Sequence, residues 1–487
     1  MRNFAVFFLV AFVLRAPWLG DPLFHADEQF YLLMGDRLWH GVIPYVDLWD
    51  RKPLGLFLIY GAARAFPGNG VLAYQLMAIT CAAGTAVVLA RCARHLAGPR
   101  GALFAGLAYL IYLMAFNCVM GQAPVFYDLP MIIAASLVIS ALADTADSAA
   151  PAIAGKRFGL MARGCLAMAL VGIALQIKTS VVIEGIGFGL MLLWAGWRRG
   201  WGWPRLAGAG AAWIALALLP TALVFAAYAA EGEARAFLIA NVVSILGRGQ
   251  DLGEASFRLA KVAAALIPFY VAMAMSWRIA LPRSESETVR RAVMMWLGLA
   301  IVGFLAPGTW YDHYVAPALM PLAILAAPAL DGRCRPTGWL RRLLFVVGLG
   351  AGLGATTVQA HRFGDTTDLD EAAAAIRPHI DAHHCLYVYE GDSALYSATN
   401  SCLPTRFAFP AHLSTRFEEH ALGIDPTAEV KRIMASRPGA VVIDAAPNPY
   451  GANLQTRAVV LQALAQHYRQ IRTITLGTRT FALFAAR

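Results

Sequence analysis

Charge is scarce in this 487-residue chain: only 14% of its residues are Asp, Glu, Lys or Arg, while 59% are hydrophobic. Soluble globular domains carry about 25% charged and 45–50% apolar residues, so an ordinary soluble fold is excluded. Cysteine is sparse as well, and the seven present lack metal-ligand spacing. The chain has no P-loop and no strand-linked G-x-G-x-x-G, so it offers no recognisable nucleotide site. No convincing internal repeat is visible, which weighs against a transporter built from duplicated halves. The opening apolar run is followed by the bulky "RAPWLG" and by no small-residue cleavage site, so a retained helix is expected there rather than a signal peptide.

What the chain has in quantity is apolar runs. They recur from residues 4–13 to residues 343–358, and flanking aromatic or apolar residues extend most of them toward the ~20 residues needed to cross a bilayer. The reading is a polytopic α-helical membrane protein with about eleven transmembrane helices. Basic residues cluster in alternate loops at 91–100, 156–163, 198–205, 278–291 and 333–342, including Lys156, Arg157, Arg333 and Arg335. The turns near 116–128 and 307–313 carry no Lys or Arg. The positive-inside rule then puts the N-terminus in the cytoplasm, and it accounts for most of the net charge of +10 without nucleic acid as a partner.

Hydropathy falls after about residue 360. "CLYVYEG" and "GAVVIDA" read as buried strands, "DLDEAAAAIRPHI" and "LQTRAVVLQALAQHY" as amphipathic helices, and "RTITLGTRTFALFAA" as a terminal hairpin. The expected domains are therefore a membrane module at 1–360, with its first outer loop at 20–70, and an extracytoplasmic α/β domain at 361–487. Cys385 and Cys402 both fall in the tail, either as a disulfide or as two buried thiols. The glycines of "GLGAGLGA" have small-xxx-small spacing inside a spanning helix, which points to helix packing.

The charges that remain are concentrated. "HADEQFYLLMGDRLWHGVIPYVDLWDRKPLG", residues 25–55, holds five acidic and three basic residues next to the first apolar helix. Asp27 and Glu28 open an amphipathic stretch at the membrane surface. Either Asp27 caps that helix while Glu28 complements its dipole, or Asp27 is a general base at the water–membrane boundary. Arg51 and Lys52 beside Pro53 suit a lipid phosphate or, more plainly, snorkel to the interface. Asp128, in "PVFYDLPM", enters an otherwise apolar segment at an outer loop, and an acid near membrane depth is a functional candidate. Lys178 lies where one helix ends and the next turns back, and His313 and Tyr314 precede a Pro-rich helix. All fall on the same expected face, which predicts one outward-facing polar cleft. Arg235, Arg248 and Arg258 of the 229–258 loop are candidates to gate it.

The quoted loop resembles the first outer loop of the ArnT-like and protein O-mannosyltransferase-like glycosyltransferases, family 39, which have the GT-C fold. The likeness rests on Asp27-Glu28, on Lys52-Pro53, on Asp128, on the "L-x-K-(S/T/G)" turn at Lys178, and on "HYVAPALMP" from His313. The tail segment "LYVYEGDSALYSATNSCLPTRFAFPAHLS" also resembles the periplasmic domain of bacterial members. The chain departs from the pattern in having Pro53-Leu54 where Pro-Pro is common, and Arg51 where ArnT-like relatives have an acid. For that reason aminoarabinose transfer to lipid A is not inferred.

The resemblance implies an inverting transfer of a sugar from a polyprenyl-phosphate carrier to an acceptor hydroxyl of an envelope glycan, glycolipid or protein, outside the bacterial inner membrane. Asp27 is then the base, with Glu28 and Asp128 as accompanying acids. Lys52, Arg51, Lys178, His313 and Tyr314 hold the donor phosphate, while the tail supports the module or recognises the acceptor. No cofactor is required; if a divalent metal were bound, His25, Asp27, Glu28 and Asp128 would be its ligands. The alternatives are a flippase of polyprenyl-linked glycan, which predicts charge spread across the membrane depth, and a non-catalytic envelope-binding relative.

Overall fold

A computed structural model describes residues 2–146, 159–283, 285–332, 338–446 and 451–487. Of the basic loop residues, Lys156, Arg157, Arg333 and Arg335 lie outside the described residues. The chain is mostly helical and divides into two compact units. The first comprises Met1–Pro17, Leu76–Val224 and Gly253–Thr356; the second comprises Trp18–Gln75, Phe225–Leu252 and Thr357–Arg487. Packing units thus do not follow chain order, because the charged loop expected to belong with the membrane module makes its contacts with the tail.

Among the described residues, seven helices are long and apolar enough to cross a membrane, or eight if Leu252–Ala265 and Ile267–Ser276, bent by 45°, count as one span. Three further apolar helices cover runs that the sequence reading took as spans: Asn3–Trp18, Pro99–Ala115 and Leu160–Leu175. At about 1.5 Å per residue, helices of this length fall short of a ~30 Å hydrocarbon core. Helix packing in the first unit uses the glycines as the spacing predicts. A Cβ on Gly348 would sit 2.5 Å from the Tyr112 ring and one on Gly352 would sit 3.0 Å from Met114 Cβ, whereas Gly350 and Gly354 face open space. The Pro-rich helix Ala316–Leu330 is buried along its whole length, where neighbouring protein offsets the hydrogen bonds its prolines lack.

In the second unit, helices Ala26–Leu38 and Leu54–Arg64 cross at a glycine pair. A Cβ on Gly35 would lie 2.5 Å from the Gly61 nitrogen, so a larger residue would force the two backbones apart. The tail folds as its periodicities predict. Strands β1 (Leu386–Val388) and β2 (Ala440–Asp444) pair in parallel, and β3 (Tyr468–Leu476) and β4 (Arg479–Ala486) form the terminal hairpin. The sheet order is β1-β2-β4-β3, with β4 antiparallel to both neighbours and Val441 opposite Phe484. Helices Thr366–Ile376 and Leu454–His467 start at Asp365 and Asn453, whose side chains accept the first backbone N–H groups. Cys385 and Cys402 form a disulfide.

Candidate active site

Asp27, Glu28, Arg51 and Lys52 belong to the second unit; Asp128, Lys178, His313 and Tyr314 belong to the first. They occupy two clusters, one within each unit.

In the second unit the cap of helix Ala26–Leu38 is His25, not Asp27. The His25 Nδ1 accepts the Asp27 backbone N–H at 3.3 Å. Burial lowers the imidazole's proton affinity, with Asp27 opposing and Lys52 assisting that shift. A neutral ring with a free lone pair is what this cap requires. Released from capping, the Asp27 side chain is half-buried in the first helical turn, within electrostatic range of His25, Asp50 and His412. Glu28 is buried beside Tyr60 and Tyr74.

The loop that follows is held in a defined shape. Tyr45 takes a left-handed φ of 70°, its ring packs on Phe57 and Tyr228, and its hydroxyl donates to the Lys52 carbonyl at 2.9 Å. Asp50 is buried; its Oδ1 accepts the Lys52 N–H at 2.8 Å and its Oδ2 lies 3.9 Å from His412 Nε2. Burial raises the Asp50 carboxyl above its ordinary value, while Lys52 and Arg51 draw it back. The Lys52 ammonium lies over the Tyr31 ring, 5.7 Å from its centroid. Arg51, expected on a donor phosphate, instead grips Glu418 with both terminal nitrogens, one of them at 3.0 Å. Nothing local in the sequence announces this partner, which lies 367 residues away.

In the first unit Asp128 stands in the second turn of the helix Ala123–Ala146 rather than in an outer loop, because the helix begins well before Pro130. The side chain is fully buried and its Oδ2 accepts the Tyr109 hydroxyl at 2.9 Å. Lys178 sits at the N-cap of a short 3-10 turn, Thr179–Val181, between two apolar helices. Its ammonium is 4.2 Å from the Tyr314 ring centroid, and Tyr314 meets His313 edge-to-face at 4.6 Å. A cavity of about 20 Å³ opens there, lined by Lys178, Tyr314, Tyr127, Ser180, Glu184 and Phe304 among others. Its volume suits one water-sized group. Glu184, which the sequence reading passed over, is buried and accepts the Trp296 N–H at 2.6 Å. The signal was present: an acid inside "VVIEGIG" is the same kind of intrusion as Asp128.

Of the three arginines proposed to gate a donor, Arg248 pairs with Glu418 at 3.1 Å. Arg258 stacks on Tyr311 at 4.2 Å and donates to the Thr309 carbonyl at 3.2 Å. Lys261, also unforeseen, pairs with Asp312 at 2.6 Å. Among the described residues no three His, Cys, Asp or Glu side chains come together to hold a metal ion. Of the set His25, Asp27, Glu28 and Asp128, the first three belong to the second unit and Asp128 to the first.

The architecture matches that of solved glycosyltransferases. ArnT from Cupriavidus metallidurans bound to undecaprenyl phosphate is 14% identical, with a TM-score of 0.61 over 98% of this chain and 97% of that one. The apo state of the same protein is 15% identical at the same TM-score, over 99% of this chain and 97% of that one. The apo oligosaccharyltransferase of Archaeoglobus fulgidus is 10% identical at a TM-score of 0.55, over 91% of this chain and 69% of that one. No family model matches the sequence, and no curated protein matches it. The chain therefore has the GT-C fold, a fold of membrane-embedded glycosyltransferases.

Proposed function

We propose that this protein is an inverting glycosyltransferase that moves a sugar from a polyprenyl-phosphate carrier to an acceptor hydroxyl outside the bacterial inner membrane. The acceptor is an envelope glycan, a glycolipid or a protein. The chain crosses the membrane about eleven times, the three shorter apolar helices being counted as spans with their flanks, with the N-terminus in the cytoplasm and the C-terminal domain in the periplasm; the basic loops support that topology. The observation that carries the reading is the half-buried Lys178 ammonium on the Tyr314 ring face, beside a small cavity in a GT-C fold. Solved structures of the same fold hold undecaprenyl phosphate in one case, and dolichol-phosphate with an inhibitory peptide in another.

Asp27 acts as the base. A sugar hydroxyl is a very weak acid, so the carboxylate takes the proton as the bond to the anomeric carbon forms. The C1–O bond to phosphate breaks on the opposite face, and negative charge gathers on the departing lipid phosphate. Lys178 and Lys52 stabilise that charge in a water-poor setting, assisted by Tyr314 and His313. The lysines supply the positive charge, so no divalent metal is required. Asp128, tied to Tyr109, and Glu28 shape the surroundings of the reacting groups. Arg51, already neutralised by Glu418, serves structure more than the donor.

The test is transfer by the purified protein in nanodiscs, using defined polyprenyl-phosphate sugars and a broad acceptor panel, with the product's anomeric configuration read by NMR. The expected product is inverted. Donor binding without transfer to any acceptor, or retention of configuration, contradicts the reading.

A further inference from the structure

Glu418 is a buried carboxylate, 4% exposed, lying between two guanidiniums. Arg51 binds it in a fork and Arg248 reaches the same Oε1 at 3.1 Å. Burial alone would raise this carboxyl, but Arg51 and Arg248 outweigh it and hold the group below its ordinary value, hence ionised. All three residues lie in the second unit yet on three distant stretches of chain.

The backbone around them is built for close approach. The Gly249 N–H donates to the Phe417 carbonyl at 2.9 Å, and a Cβ on Gly247 would meet the Ala421 Cα at 3.2 Å. Gly423, with a left-handed φ of 70°, turns the tail against Ile239. On the other side the Trp49 N–H donates to the Arg406 carbonyl at 2.8 Å, and its ring meets His412 at 4.7 Å. The buried Asp50 lies against the same His412. Three consecutive residues, Trp49, Asp50 and Arg51, are thus anchored to the segment 406–418. The next residue is Lys52, whose own N–H and carbonyl are both engaged by Asp50 and Tyr45.

We infer that Glu418 is a positioning residue: with Arg51 and Arg248 it fixes the peptide that presents Lys52 to a lipid phosphate. The C-terminal segment thereby sets where that cation stands. The inference rests on Lys52 being a phosphate ligand. A fork between carboxylate and guanidinium has a fixed geometry and little rotational freedom, which makes it a better clasp than a single contact. An ammonium displaced by about 1 Å costs up to about a hundredfold in a site that depends on placement.

The experiment measures undecaprenyl phosphate binding by the full-length protein in nanodiscs, comparing wild type with Glu418→Gln, Glu418→Asp, Arg51→Met, the Gln/Met double variant and Lys52→Met. Melting temperatures are followed in parallel. Glu418→Gln and Arg51→Met should each weaken binding about tenfold. The double variant should be no worse than Glu418→Gln alone, since Arg51→Met removes a contact that Glu418→Gln has already broken. Glu418→Asp, which keeps the charge and withdraws it by one methylene, should fall between. Wild-type affinity in folded Glu418→Gln overturns the inference while leaving the functional reading intact, provided Lys52→Met loses binding. Tighter binding by Glu418→Gln also overturns it, since Arg51 would then be a direct ligand that Glu418 masks. Additive losses do the same. If Glu418→Gln does not fold, Glu418→Asp decides by the same criterion. Failure of wild type to bind, or wild-type affinity in Lys52→Met, instead sinks the functional reading.

Discussion

In the second unit, ionised side chains meet one another: Arg51 and Arg248 enclose Glu418, and Arg457 pairs with Glu390. In and around the cavity of the first unit, three charged or acidic groups meet aromatics instead. Asp128 accepts from Tyr109, Glu184 from the Trp296 N–H, and Lys178 lies on Tyr314. The two arrangements suit different tasks. An ion pair cancels its own field, so it fixes a loop and asks for nothing further. An ammonium resting on a ring face keeps most of its charge, and in a low-dielectric setting that charge is available to an incoming phosphate. In the second unit a forked ion pair holds a loop, and in the first an ammonium lies on a ring face beside a cavity.

That contrast can be broken experimentally. The largest effect is expected at Lys178. Replacement by Met should lower kcat/KM for a polyprenyl-phosphate sugar by about a hundredfold or more, with the melting temperature kept, because the cation stabilises charge that develops in the transition state. Activity within about threefold of wild type would remove the cavity from the mechanism. The next effect tests the clasped unit. Replacing both Cys385 and Cys402 by Ser opens a link with a sequence separation of 17 residues. It should cost about 3 kcal/mol of stability, read by denaturant unfolding of the tail, where loop closure no longer restricts the unfolded chain.

Packing in the first unit offers a smaller, paired test. Gly348→Ala meets the Tyr112 ring and should destabilise by about 1–3 kcal/mol, whereas Gly350→Ala, facing open space, should be neutral or stabilising by up to about 1 kcal/mol. Equal melting temperatures for the two would contradict the packing role.

The smallest expected effect is a pH slope in the second unit. Burial first, then Arg51, holds His412 down at about 3 from an ordinary 6.5. Between those values the unfolded chain binds a proton that the folded chain does not, so stability is present above pH 6.5 and falls as pH drops. Asp50, raised by burial, works the opposite way, losing its contribution as pH rises through the carboxylate range. His412→Gln should therefore flatten the fall in melting temperature between pH 6.5 and about 5, above most carboxylate titration. An unchanged slope would mean the imidazole is not the group responsible.

Much of this arrangement was legible in the sequence, and the exceptions have a common cause. The charged loop stood out because acids and lysines are costly beside a membrane, so each one carries information. Lys178 and the His313–Tyr314 step stood out the same way, and the tail's strands and helices followed from short buried apolar runs and from 3.6-residue amphipathic periodicity. The Glu418 clasp was hidden because an acid in a polar tail is unremarkable until its distant partners are known. Asp27 stood as a candidate cap because Asp is a common cap, while a neutral histidine serves equally once its proton is lost. Helix count was not legible from composition alone. Runs of 16–17 apolar residues at Pro99–Ala115 and Leu160–Leu175 do not declare from composition whether they cross alone.

The most direct test of the central claim separates chemistry from binding at Asp27. Asp27→Asn, assayed beside wild type with one defined polyprenyl-phosphate sugar, should bind undecaprenyl phosphate with unchanged affinity and lose about 10²- to 10⁴-fold in kcat. Transfer by the folded variant at a rate near that of wild type would contradict the assignment of Asp27 as the base.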